Sequence, residues 1–217
     1  MIFEITKYIL YQKSIGFGEK TMFTAKTLIE VTGLKPALYR QMRTLGLIKA
    51  TKEAGGSGHA DEYDEISICQ TLLFLKMKDS GMKRAEASQL AFYPATRKIF
   101  EAAVKEWIAK SLHRSELRRK DARFALVNAL SRRDLASLEA ELTFPDFHLI
   151  FWDADGVALA RGETELVKLY REKLHRNDYQ AFNLSSIIRD VIIGLLRLGE
   201  DPFGLLKLAE SKMHENT

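Results

Sequence analysis

Residues 24–48 read TAKTLIEVTGLKPALYRQMRTLGLI. Thr24 suits a helix N-cap, because its hydroxyl can accept one of the backbone protons that a helix start leaves free. Leu28, Ile29 and Val31 then supply an apolar face, and Gly33 can take the left-handed conformation that ends a helix. The spacing predicts a helix over 25–32. Pro36 fits the first turn of a second helix, where its missing N–H costs nothing. Leu38, Met42 and Leu45 carry the apolar period onward until Gly46. Two short helices across a glycine-containing turn of three to four residues make a helix-turn-helix.

Working outward, Leu47-Ile48-Lys49-Ala50 reads as a short strand, Gly55-Gly56-Ser57-Gly58 as a flexible loop, and Asp61–Tyr63 as the returning strand. That hairpin is a wing. Helical period resumes at Ile66, Ile68, Leu72, Leu73, Leu75 and Met77 and stops at Ser80-Gly81. A further helix runs from Lys83 to about Phe92, and Tyr93-Pro94 closes the unit. On the other side, residues 1–21 form an N-terminal extension. They read either as an extra helix that packs on a partner or as upstream sequence with Met22 as the start. Glu4 and Lys7 interrupt any signal-peptide core, and Gly18-Glu19-Lys20-Thr21 fails as a phosphate loop because its glycine and lysine are not adjacent.

Composition sets the outer limits. The 217 residues are 46% hydrophobic and 29% charged, a globular profile of mostly helical character. No apolar run approaches the roughly 18 residues of a membrane span. The lone Cys69 excludes an internal disulfide, and a reducing, cytoplasmic setting is expected. Cys69 itself reads as a small buried apolar residue inside the third helix. The histidines, His59, His113, His148, His175 and His214, pair with neither each other nor Cys69 at metal-ligand spacing, so no metal and no cofactor is expected. The net charge of +4 permits nucleic acid as a partner.

Residues 22–93 resemble the DNA-binding domain of the MerR family of transcription regulators. The residues that carry the likeness are Thr32-Gly33-Leu34, Arg40 seven residues after the glycine, Leu45-Gly46-Leu47-Ile48, Tyr63, and Gly81 eighteen residues later. The resemblance implies a winged helix-turn-helix that regulates transcription as a homodimer, joined by a long helix pairing antiparallel with its copy. It places effector recognition in the C-terminal part. Two departures stand out. The family pattern carries two aromatics and a glutamate after the arginine, where this chain has Gln41, Met42 and Arg43. It carries an arginine two residues before the tyrosine, where this chain has Asp61. With Glu62, Asp64 and Glu65, that makes a strongly acidic wing.

The second helix supports the same function without the family. A helix entering the major groove needs donors for bases and flanking cations for phosphates. Arg40 and Arg43 are read as sharing the groove face, with Lys35 at the helix start, where free amides also attract phosphate. Lys26, Lys49, Lys52, Lys83 and Arg84 add phosphate contacts around it. The candidate site for double-stranded DNA is therefore Lys26, Lys35, Arg40, Arg43, Lys49, Lys52, Lys83 and Arg84. The rival function is a protein-interaction module that kept the fold and lost DNA binding, suggested by the acidic wing.

The rest of the chain divides at about 94 and 145. Residues 95–145 are one long helical stretch or two helices, with nine basic against three acidic residues between Lys105 and Arg133. Phe124, Val127, Leu130, Leu135, Leu138 and Leu142 form a stripe that makes about 97–142 the expected homodimer seam. The alternatives are packing on the C-terminal part or folding back as a helical hairpin near Ser131-Arg132-Arg133. Residues 146–217 read as a small α+β unit. Two apolar runs flank Asp153-Ala154-Asp155-Gly156, a hairpin turn, followed by a helix over 162–176 and another over 186–198 capped by Asn183 or Ser185. The same acids resemble a phosphatase nucleophile motif, but that chemistry needs a parallel sheet, a later lysine and a second carboxylate pair, and the 61 residues after Gly156 contain no adjacent Asp-Asp, so the hairpin reading is preferred and no enzyme is expected. Trp152, Tyr170, Tyr179 and Phe182 are placed in core packing ahead of an effector pocket. The whole reads as a mostly α chain: winged helix-turn-helix, helical dimerisation region, small α+β unit.

Overall fold

A computed structural model describes residues 21–54, 60–112, 146–152, 156–169, 171–172 and 179–206. The N-terminal extension over 1–20, the glycine-rich loop tip, the stripe from Phe124 to Leu142, the Asp153–Asp155 turn and Tyr170 lie outside them. The described chain is mostly α-helical, with two small antiparallel sheets.

Strand β1 (Phe23–Thr24) leads into α1 (Ala25–Thr32). Thr24 Oγ1 accepts the Thr27 N–H at 3.3 Å, and Gly33 ends the helix with φ of 69°, a conformation only glycine adopts without strain. A three-residue turn leads to α2 (Pro36–Thr44), with Pro36 in its first turn. Strand β2 (Glu62–Tyr63) precedes α3 (Glu65–Asp79), which Asp64 caps by accepting the Ser67 N–H at 2.8 Å. Then come α4 (Arg84–Ala91) and α5 (Pro94–Leu112). Pro94 thus opens a helix rather than closing a unit.

The hairpin differs from expectation. Residues 47–50 form no strand, and the partner of β2 is β1, with Phe23 opposite Tyr63 and Thr24 opposite Glu62. Only a single bridge joins the other leg, Lys52 to Glu62. The reason is local. The Leu47 carbonyl accepts the Ser88 hydroxyl and the Ile48 carbonyl accepts the Arg43 guanidinium, both at 2.8 Å, so side chains occupy acceptors a ladder would use.

In the C-terminal part β3 (Phe147–Trp152) lies between β4 (Gly156–Arg161) and β5 (Tyr179–Asn183), antiparallel to both. This is the expected hairpin plus a third strand that the sequence reading lacked. α6 (Gly162–Leu169) follows β4, and most of the rest of the expected helix, to 176, lies outside the described residues. α7 (Leu184–Arg197) starts at Asn183, whose Oδ1 accepts the Ser186 N–H at 2.8 Å. A 3₁₀ turn follows at Pro202–Gly204.

One large apolar cluster runs through most of this, and a small second one, Ile150 and Ala160 with Leu166 and Leu169, lies under α6. α3 is buried on nearly every side, from Ile66 through Met77. α7 packs on α1, α3 and β3, burying Ile187, Ile188, Val191, Ile192, Leu195 and Leu196. The boundaries at 94 and 146 therefore divide the chain but not its core. Polar ties support the packing. Ser185 Oγ accepts the Phe147 N–H at 2.9 Å, and Glu65 Oε1 accepts the Phe203 N–H at 3.0 Å. In α5, Phe100, Ala103, Val104, Trp107 and Ile108 are all buried within the monomer. The N-terminal part of the expected dimer seam, up to Ile108, thus packs into the chain's own core.

Candidate nucleic-acid interface

α2 has two faces because its apolar residues recur at helical spacing. Tyr39 and Met42 point into the core, and Leu38 packs against it. Lys35, Ala37, Arg40, Gln41 and Thr44 are exposed. The inner face is pinned to β2, where the hydroxyls of Tyr39 and Tyr63 share a hydrogen bond at 2.6 Å and their rings meet edge to face. Burial and that bond push the Tyr63 phenol well above its ordinary pKa, so it stays a neutral hydroxyl.

Seven of the eight predicted site cations are exposed: Lys26, Lys35, Arg40, Lys49, Lys52, Lys83 and Arg84. Among the described residues, Lys35, Arg40, Lys49, Lys83 and Arg84 make no ion pair. Lys26 lies 3.9 Å from Glu30, and Lys52 lies 3.3 Å from Glu62; both pairs are exposed and weak. Lys35 and Lys83 also stand at the starts of α2 and α4, where no side chain caps the helix. The Ser88–Leu47 bond holds α4 against the segment that follows α2. Ser88, midway along α4, thus ties that helix to Leu47 just after α2, and Lys35, Arg40, Lys49, Lys83 and Arg84 are exposed on these elements.

Arg43 corrects the sequence reading. It does not share the solvent face of Arg40; its side chain is only 19% exposed. Nε donates to Asp61 Oδ2 at 2.8 Å, Nη2 lies 2.8 Å from the same oxygen as an ion pair, and Nη1 donates to the Ile48 carbonyl. A helix turns 100° per residue, so a step of three already swings a side chain toward the neighbouring element when an acid awaits it there. At 43 and 61 this chain carries the opposite charges to the family pattern, and those two residues pair.

The acids beside it are also engaged within the fold. Asp61 holds Arg43, Glu62 meets Lys52, and Asp64 receives the Arg97 guanidinium while capping α3. Glu65 is buried on the Phe203 amide, and that burial holds its carboxyl above the usual range. Acids that look repulsive as a sequence are thus largely engaged within the fold. Gln41 and Thr44 are polar groups on the exposed face that the sequence reading passed over; their offsets of one and four from Arg40 were the available signal.

Elsewhere the chemistry is sparse. Cys69 is fully buried, which pushes its thiol pKa up and makes it a core residue. Among the described residues no cluster of three histidine, cysteine or acidic side chains could hold a metal, and no helix is long and apolar enough to cross a membrane. The strands flanking the Asp153 turn are antiparallel, as a hairpin requires and a phosphatase nucleophile strand does not allow. Phe182 packs edge to face on Phe151. No family model matches this chain, and no curated protein matches it.

Proposed function

We propose that this protein is a sequence-specific DNA-binding transcription regulator of winged helix-turn-helix type, similar to MerR regulators and acting as a homodimer in the cytoplasm. The observation that carries the reading is the outer face of α2. It presents Lys35, Arg40, Gln41 and Thr44 to solvent while Tyr39 and Met42 fix the helix to the core. A rigid helix with an exposed polar face suits the major groove, where Arg reads guanine and Gln reads adenine. Lys26, Lys49, Lys83 and Arg84 flank it as phosphate contacts, with the uncapped starts of α2 and α4 beside them. The acids that suggest a protein-only interaction module are paired inside the chain, which weakens that rival.

Two half-sites supply the specificity that a single helix lacks, hence the homodimer. The test begins with duplexes enriched from a random-sequence pool. Binding should lose about 0.9 log units per log unit of salt for each phosphate neutralised. Arg40→Ala should cost about 1–3 kcal/mol and relax sequence preference at one position per half-site. Lys83→Ala should instead weaken all sequences equally. A flat salt response, or undiminished binding by Arg40→Ala, would overturn the reading.

A further inference from the structure

We infer that Arg43 and Asp61 form a clasp that positions α2 relative to the hairpin beside it, and that Arg43 acts through Asp61 rather than on DNA. The inference rests on the DNA-binding reading above. One carboxylate ties together four pieces of chain. Its Oδ2 accepts a hydrogen bond from Arg43 Nε and sits 2.8 Å from Nη2, near the C-terminal end of α2. Its Oδ1 accepts the Ala54 N–H at 3.1 Å, on the outgoing leg of the hairpin. Asp61 itself opens the returning leg, next to β2. Arg43 Nη1 adds the Ile48 carbonyl at 2.8 Å, at the turn between α2 and the hairpin, and Glu53 lies 3.9 Å from the same nitrogen.

Geometry argues against a free cation. Side chains of both partners are about one-fifth exposed, at 19% and 20%. Charge-assisted bonds of this length are directional, and a guanidinium with Nε and Nη1 bonded and Nη2 held against the same carboxylate is turned away from a base edge. Residues 47–50 form no ladder, and among the described residues the backbone pairing of this leg is confined to Thr51 and Lys52 on Glu62. The Arg43–Asp61 pair supplies the missing constraint. The hairpin's approach to a duplex would be set by it.

The test uses the full chain and its enriched duplex. Arg43→Gln and Asp61→Ala should each weaken binding on the order of tenfold, and the double variant should be no worse than either, as expected of coupled partners. The exchanged pair, Arg43→Glu with Asp61→Arg, should recover most of the affinity. The salt slope of Arg43→Gln should match the parent's, because no phosphate contact is lost. The inference is overturned if Asp61→Ala binds as well as the parent while Arg43→Gln loses affinity and about 0.9 of the salt slope. It is also overturned if the urea midpoints of the two single variants add without coupling. Should the parent bind no duplex at low salt, the DNA reading falls, and the coupling in urea alone decides the clasp. If the exchanged pair does not fold, the two neutral variants and their double settle the question by the same coupling.

Discussion

Asp64 joins three constraints in one carboxylate. Oδ1 accepts the Ser67 N–H at 2.8 Å as the cap of α3, and Arg97 of α5 donates to both oxygens. Burial by itself would raise this carboxyl's pKa; the bonds from Arg97 and Ser67 outweigh it and hold the group below the ordinary carboxylate range. A depressed native pKa stabilises the fold at pH above the unfolded value, about 3.9, and that stabilisation is lost as pH falls through the lower native value. We expect the urea midpoint to drop as pH falls below about 4. Asp64→Asn should start lower at pH 7 and lose less over the same interval. An equally steep acid loss in the variant would assign the effect to other carboxylates. Arg43 makes the same point about legibility. Its charge and its place in α2 could be read from the chain, but its direction could not, because nothing local says that Asp61, eighteen residues on, lies within 2.8 Å.

At the level of elements, α7 approaches α1 so closely that a side chain has no room at the crossing. A Cβ at Gly194 would lie 2.9 Å from Val31 Cγ1, a rigid β-branched methyl. Gly194→Ala gains up to about 1 kcal/mol of helix propensity but overpacks the crossing by about 1–3 kcal/mol. We expect a lower melting temperature from the single change. In a Val31→Ala background the same change should become neutral or stabilising, and a stabilising effect in both backgrounds would contradict the crossing. The elements themselves were largely legible. Thr24, Gly33, Pro36 and Asn183 mark helix ends by local chemistry, and those ends stand where expected. Strand pairing was not. β2 is two residues long, and whether it meets residues 47–50 or Phe23–Thr24 depends on which carbonyls Ser88 and Arg43 occupy. β5 was missed because five residues carry too little alternation to separate a strand from a loop.

On the scale of the molecule, the dimer seam narrows. Trp107 and Ile108 are used within the chain, so an expected homodimer would rest mainly on residues beyond Ile108, where the stripe from Phe124 to Leu142 is read from sequence alone. We expect light scattering at tens of micromolar to return twice 24.7 kDa. Aspartate at Leu130 and Leu138 should then halve that mass while leaving the far-UV signal of the core helices intact. A monomeric parent would remove the two-half-site model of DNA reading. α7 matters here too. It is contributed by the C-terminal part yet buried against α1 and α3, so truncation after about residue 145 would strip the core under the proposed DNA-binding helices rather than release a free domain.

The sequence by itself determined where helices start and stop, which of their faces are apolar, and which residues carry charge. Those are properties of a few neighbouring residues: a cap hydroxyl, a glycine able to hold a positive φ, a period of 3.6. Only the tertiary structure decided the partners. It turned Arg43 inward and left Arg40 in solvent, matched the acids from Asp61 to Glu65 with groups up to 138 residues away, and placed α7 against α1. Ion pairs, strand neighbours and helix crossings depend on distance in space, and the order of residues along a chain does not encode that distance until the core has closed.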